Sequence, residues 1–194
     1  VRAQEALGPL PLASLRDFVS HGSGYLVRMA FGRDQPERDY RRRLQAFLTH
    51  YRAHLHDATT LFPGMTDLLS ALEDNGHVWG VVTNKPAWLT DPLMAALGLA
   101  ARASCVVSGD TTAERKPHPL PMFFAATQAR ATPNACLYVG DAERDIQAGT
   151  AAGMTTLIAR YGYIDAAQQP NTWGADGQID HPLEIRHWLD QPEA

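Results

Sequence analysis

Three short stretches of this chain carry groups that handle phosphate. Val81-Val82-Thr83-Asn84-Lys85-Pro86 ends an apolar run in a hydroxyl, a carboxamide and an amine. The Thr83 hydroxyl and the Asn84 amide can each hydrogen-bond a phosphoryl oxygen, and Lys85 can contact the same substrate. Lys116 stands in SGDTTAERKPHP, between charged residues and a turn bracketed by prolines. LYVGDAERDIQAG then sets Asp141 and Asp145 four positions apart where an apolar run meets a helix start. A carboxylate at a strand tip can ligate a hard cation such as Mg²⁺, with the second carboxylate one helical turn on.

Each group also has a plainer reading. Thr and Asn are common turn and cap residues, a lysine is most often solvated, and Asp at a helix start is worth about 1 kcal/mol as a cap. Their order favours chemistry, because hydroxyl, lysine and carboxylate pair follow three successive strand-like runs. The reaction they suit is phosphoryl transfer, in which an anionic nucleophile approaches an anionic ester. Like charges about 4 Å apart repel by about 4 kcal/mol at an effective dielectric near 20, so the site needs a cation and an ammonium. Mg²⁺ on Asp141 and Asp145, with the Lys116 ammonium, meets that need, while Thr83 and Asn84 position the transferred group.

The elements that must position these residues come in two regimes. Over residues 1–60, strings such as FVSHGSGYLVRMAF and ERDYRRRLQAFLTHYRAHL repeat apolar residues at helical spacing, which predicts an all-α domain. From Leu61 the runs HVWGVVTN, ASCVVSG, ACLYVG and MTTLIARYG alternate with helical segments, which predicts βαβ units over 61–194. The expected fold is α/β, a doubly wound Rossmann-like parallel sheet whose ligands sit at the carboxyl ends of its strands. Phe62-Pro63-Gly64 marks the junction, with Thr66 a candidate N-cap for the next helix.

Composition excludes other classes. With 194 residues, 45% hydrophobic and 20% charged, the chain can bury a core. A net charge of −4 and no basic run longer than Arg41-Arg42-Arg43 give no footprint for nucleic acid or an anionic membrane. No apolar run nears the ~20 residues of a spanning helix, and the first residues lack a signal-peptide core, so a cytoplasmic monomer or homodimer is expected. Cys105 and Cys136 read as reduced core thiols. His50 and His54 have no acidic or thiol partner at ligand spacing and read as part of a solvated helix.

VVTNK, the lysine of RKPHP and GDAERDIQAGTAAG resemble motifs two, three and four of the haloacid dehalogenase superfamily. Nearly the whole chain is similar to its phosphoglycolate phosphatase group, which carries a helical cap. WGVVTNKP, RYGYI, PNTWGAD and DHPLEIR are most similar to the bacterial N-acetylmuramic acid 6-phosphate phosphatases. The resemblance implies a cap over residues 1–60, Mg²⁺, a small phosphorylated metabolite and an aspartyl-phosphate intermediate. It makes Thr83 the motif-two hydroxyl, Lys116 the motif-three lysine, and Asp141 with Asp145 the acidic pair of motif four. Cap residues Ser23 and Gly24, in a glycine-containing break between helices, are candidates for substrate contact, as is Arg160 after the last main strand.

The sequence departs from that pattern at one point. An apolar strand followed by Asp-x-Asp-Gly-Thr, the nucleophile motif, is expected before the cap, and Asp17 and Asp34 lack its flanking residues. The expectation is a chain without its first central strand, inactive as it stands. Two rivals remain open. A response-regulator receiver uses similar groups but places its acidic pair first in the chain, and a phosphate-binding pseudoenzyme would keep Thr83, Asn84 and Lys116 without cleaving anything.

Overall fold

The computed structural model describes residues 1–189, so residues 190–194 of the expected core domain lie outside the described residues. The chain divides into two compact units, a helical one of residues 1–57 with 163–168 and an α/β one of residues 58–162 with those from 169 onward.

In the helical unit, the short helix α1 (Ala13–Arg16) precedes α2 (Ser23–Phe31) and α3 (Glu37–Ala53), and the last two pack together. Glu37 and Asp39 in the first turn of α3, and His50 and Arg52 in its last, complement the helix dipole. Gly22 before α2 has φ 87°, a conformation that costs other residues a steric clash. Val27 and Leu55 are the buried apolar side chains. Aromatic rings carry cations around them: the Arg43 guanidinium lies 4.4 Å from the Phe31 ring centre and that of Arg28 4.1 Å from Tyr40. Residues 163–168 join this unit through Asp165, whose Oδ2 lies 2.9 Å from His21 Nε2 and accepts from Gln168.

The α/β unit has strands β1 (Gly80–Val82), β2 (Cys105–Val107), β3 (Leu137–Gly140), β4 (Thr155–Ala159) and β5 (Gly177–Ile179), every pairing parallel. Its helices are α4 (Met65–Asp74), α5 (Ala87–Ala96), α6 (Leu120–Gln128), α7 (Glu143–Ala152) and α8 (Ile185–Leu189). Both faces are covered, as a doubly wound sheet requires. On one face Met122 and Ala126 of α6 and Ala148 and Ala152 of α7 pack with Val82 and Tyr138. On the other, Leu68 and Leu69 of α4 cover the strands with Ile185 of α8 and Met94 of α5.

The strands form two ladders, β1-β2 and β3-β4-β5, with no backbone pairing between the two among the described residues. Ser104 N donates to Trp79 O and Thr83 N to Val107 O, both 2.8 Å, so alternate residues of β1 turn their backbone towards β2 and the Val82 carbonyl looks away from it. Side chains take that carbonyl instead: Lys116 Nζ donates to it at 2.7 Å and the Tyr138 hydroxyl at 3.1 Å. The α4 and α6-α7 layers each pack on both ladders and hold them as one layer.

One expectation is corrected. Helix α4 starts at Met65 behind Gly64, which has φ 80°, and Thr66 lies inside the first turn rather than at the cap. A Cβ on Gly64 would collide with the His181 imidazole, so the chain enters the helix through the one residue that fits both the conformation and the space. The three-residue β5 had no periodic signal in the sequence. Cys105 and Cys136 are free and half-buried, and burial pushes both thiols up.

Candidate active site

Strand β1 runs parallel to β2 and β3 to β4, and the bonds from Asn84 to Lys116 O and from Lys116 to Asp145 bring the segments that follow β1, β2 and β3 together. Thr83, Asn84 and Lys85 follow β1, Lys116 lies between β2 and α6, and Asp141 follows β3. Lys116 is not a solvated lysine: it is 7% exposed, and its ammonium lies 2.9 Å from Asp145 Oδ1. It also donates to Val82 O at 2.7 Å and to the Tyr138 hydroxyl at 2.6 Å. Burial works against the charged amine, but Tyr138 and Asp145 outweigh it and hold Lys116 above its ordinary value.

The loop after β1 is fastened to the lysine segment. Asn84 Nδ2 donates to Lys116 O at 2.8 Å, and Thr83 Oγ1 accepts the Lys85 N–H at 3.1 Å. Lys85 O accepts from Gly109 N at 2.9 Å, and a Cβ on Gly109 would fall 2.7 Å from the Asn84 carbonyl carbon. Thr83 and Asn84 thus act as turn residues and still stand at the strand end.

Asp145 also combines two roles. Its Oδ2 accepts the Ala142 N–H at 3.1 Å, the acidic half of a capping box at the start of α7, while its Oδ1 pairs with Lys116. Gly140 makes room for it, since a Cβ there would lie 2.8 Å from Asp145 Oδ2. Asp141 is half-buried just beyond β3, and a Cβ on Gly162 would come within 2.6 Å of its Oδ2. The Tyr161 phenol is pushed up to about 12, first by burial and then by the charges of Asp141 and Glu184.

The remaining candidates have other partners. Arg160 follows β4 on the surface, reaching Gln178 at 3.2 Å and Asp180 at 3.9 Å. Ser23 and Gly24 open α2 in the helical unit, where a Cβ on Gly24 would sit 2.7 Å from the Tyr40 hydroxyl. The His50 and His54 rings lie 4.4 Å apart at a 47° tilt, and, against the expectation of no acidic partner, Asp57 one turn on meets His54 Nδ1 through Oδ2 at 2.7 Å, on an exposed surface. Tyr138 joins the cluster without a sequence signal, as one aromatic residue in an apolar run.

Among the described residues no group of three His, Cys, Asp or Glu side chains stands ready to hold a metal ion. The donor chemistry still fits Mg²⁺, which takes one or two carboxylates and keeps several waters. Asp141 offers hard oxygens, and the missing side chain of Gly162 leaves its carboxylate room. Asp145, with one protein donor on each oxygen, retains further lone pairs.

A buried ammonium, a strand-end hydroxyl and a carboxylate pair on a parallel α/β layer are the parts of a phosphoryl-handling hydrolase, and comparison with known proteins agrees. The profile of the haloacid dehalogenase-like hydrolases matches residues 4–159, and the chain belongs to that family. Within it the chain is a phosphatase. It is 40% identical over 193 residues to the N-acetylmuramic acid 6-phosphate phosphatase of Pseudomonas aeruginosa, covering 98% of this chain and 84% of that one. It is 39% identical over 194 residues to the phosphoglycolate phosphatase of Xylella fastidiosa, covering 98% and 81%. The crystal structure of a predicted phosphoglycolate phosphatase from Haemophilus somnus superimposes with a TM-score of 0.84 at 25% identity, covering 96% of this chain and 86% of that one. A haloacid dehalogenase-like hydrolase from Streptococcus pneumoniae shares the fold, with a TM-score of 0.78 at 17% identity over 97% and 86%.

Proposed function

We propose that this phosphatase hydrolyses a small phosphomonoester, N-acetylmuramic acid 6-phosphate or phosphoglycolate, with Mg²⁺ and through an aspartyl-phosphate intermediate. The observation that carries the proposal is the Lys116 ammonium, buried at the strand edge with Asp145 2.9 Å away and the Thr83-Asn84 turn tied to its own backbone. A buried cation held that firmly suits an anionic group in transit better than it suits stability, to which buried ion pairs contribute little on balance.

The roles follow from chemistry. Lys116 neutralises charge on the phosphoryl oxygens, Thr83 and Asn84 orient them, and Lys85 extends the cationic edge. Asp141, helped by Asp145, would hold Mg²⁺, which when bound supplies the charge that lets an anionic nucleophile approach. Ser23 and Gly24 of the helical unit, and Arg160, are proposed to contact the organic part of the substrate. In the reaction a carboxylate oxygen attacks phosphorus, the ester oxygen leaves and takes a proton, and water then cleaves the acyl phosphate. The unpaired backbone between β1 and β3 supports a parallel strand entering there with that carboxylate.

Phosphate release from p-nitrophenyl phosphate, N-acetylmuramic acid 6-phosphate and phosphoglycolate tests this on the present chain and on one carrying the upstream coding sequence. Mg²⁺-dependent turnover in the extended form, favouring one of the two metabolites, is expected. Phosphate binding without turnover in both forms would favour the pseudoenzyme, and activity in the present chain alone would mean that another carboxylate is the nucleophile.

A further inference from the structure

The backbone at Gly162 lies against the Asp141 carboxylate, since a Cβ there would fall 2.6 Å from Asp141 Oδ2. A glycine does not keep such a place by its own dihedral angles, in which it is the least restricted residue. It needs anchors on both sides. Those before it belong to the α/β unit: Gly162 N donates to Ala159 O at 3.0 Å at the end of β4, and the Tyr161 ring meets Phe62 edge-on at 5.2 Å. Those after it belong to the helical unit, which residues 163–168 join. This segment has no helix or strand of its own, so side chains must hold it. The Arg16 guanidinium lies 4.9 Å from the Tyr163 ring centre. Asp165 is 6% exposed and accepts from Ala167 N at 2.9 Å and Gln168 Nε2 at 2.8 Å, both within the segment, and from His21 Nε2 at 2.9 Å outside it. The His21 ring is held in turn by Tyr25, stacked at 4.7 Å.

We propose that His21 and Asp165 are positioning residues for Asp141: their bond fixes the chain three residues beyond Gly162 and so keeps the Gly162 backbone against that carboxylate. The inference rests on the reading of Asp141 as the carboxylate that holds Mg²⁺. Confining such a carboxylate in advance raises affinity, because the ordering is complete before the cation arrives. A carboxylate only accepts, so Asp165 sets the Nε2–H form of His21, and a side chain without a donor at position 21 cannot make the tie. Strand β4, from which the segment departs, lies on the far side of β3 from the edge where the upstream strand is proposed to enter. The tie therefore draws on none of the backbone that strand would pair with.

The test is calorimetric titration with Mg²⁺ of the upstream-extended chain and of its His21→Phe, Asp141→Asn and His21→Phe/Asp165→Asn variants, each paired with its thermal unfolding. His21→Phe keeps an aromatic ring beside Tyr25 but has no donor, and Mg²⁺ is expected to bind it about five- to tenfold more weakly. It also leaves the buried Asp165 carboxylate short of a partner, which lowers stability. The double variant removes that charge, and it should regain unfolding temperature without regaining affinity. Unchanged affinity in folded His21→Phe overturns the proposal, as does affinity that returns with stability in the double variant; either marks a purely structural tie. With Asp141→Asn binding Mg²⁺ weakly, those results remove the positioning role and leave the reading of Asp141 standing. If Asp141→Asn binds Mg²⁺ as tightly as the unaltered chain, or if no form binds it, the reading of Asp141 falls and this inference with it. Should His21→Phe not fold, the double variant makes the same comparison: affinity lowered about five- to tenfold supports the tie, and unaltered affinity overturns it.

Discussion

Removing one member of a buried ion pair leaves the other without compensation, and Lys116 and Asp145 form such a pair at 2.9 Å. Lys116→Met should lower the unfolding free energy by about 3–5 kcal/mol in urea titrations, a loss no exposed lysine would cause. The raised Lys116 value makes its contribution fully present below the ordinary 10.5 and lost only as pH climbs through the higher folded value. Thr83, Lys116, Asp141 and Asp145 were legible in the sequence because each is a polar residue directly after, or one loop beyond, an apolar run. The burial of Lys116 was not, since RKPHP looks like surface and only the folded layer brings Tyr138, Val82 and Asp145 to its amine. Tyr138 itself was hidden because a tyrosine in a strand-like run reads as packing.

The loops between elements depend on glycines that let backbone come close to the acidic groups. A Cβ on Gly162 would press on the Asp141 carboxylate, so Gly162→Ala should reduce phosphatase turnover by about tenfold or more while thermal unfolding shifts little. A turnover loss matched by a large drop in unfolding temperature would instead mark Gly162 as a folding residue. In the helical unit, Arg43 and Arg42 draw the Glu5 carboxyl down to about 2 against the opposing effect of burial, with hydrogen bonds of 2.6 and 2.8 Å. Its folded value lies below the ordinary 4.5, so its stabilisation is present above 4.5 and lost as pH falls towards 2. Asp165, lowered by its bond to His21, acts in the same direction. Glu5→Gln should therefore flatten the acid loss of helical circular dichroism between these pH values, and an unchanged acid profile would remove Glu5 from the account. The strands β1 to β4 were readable from apolar runs bounded by turn residues. Strand β5 was not, because Gly177-Gln178-Ile179 is too short for a period to show. Nor could the sequence place residues 163–168 with the helices, a grouping fixed by a His21–Asp165 contact spanning 144 positions.

At the scale of the whole molecule, the alternation of strands and helices from Leu61 onward was enough to predict a parallel α/β layer wound on both faces, and the alternation held. What sequence periodicity cannot carry is how ladders join, because that depends on which backbone edges find partners. Here α4 and the α6-α7 pair bridge β1-β2 and β3-β4-β5, and Lys116 and Tyr138 satisfy the carbonyl that backbone pairing leaves open. The functional claim is that this edge performs Mg²⁺-assisted phosphoryl transfer. Phosphate release from N-acetylmuramic acid 6-phosphate, followed across a Mg²⁺ titration in the upstream-extended chain and in its Asp141→Asn variant, tests it most directly. The account predicts release that requires Mg²⁺ and falls by at least about 100-fold in the variant. Release that proceeds without the metal, or at full rate without the Asp141 carboxylate, would contradict it.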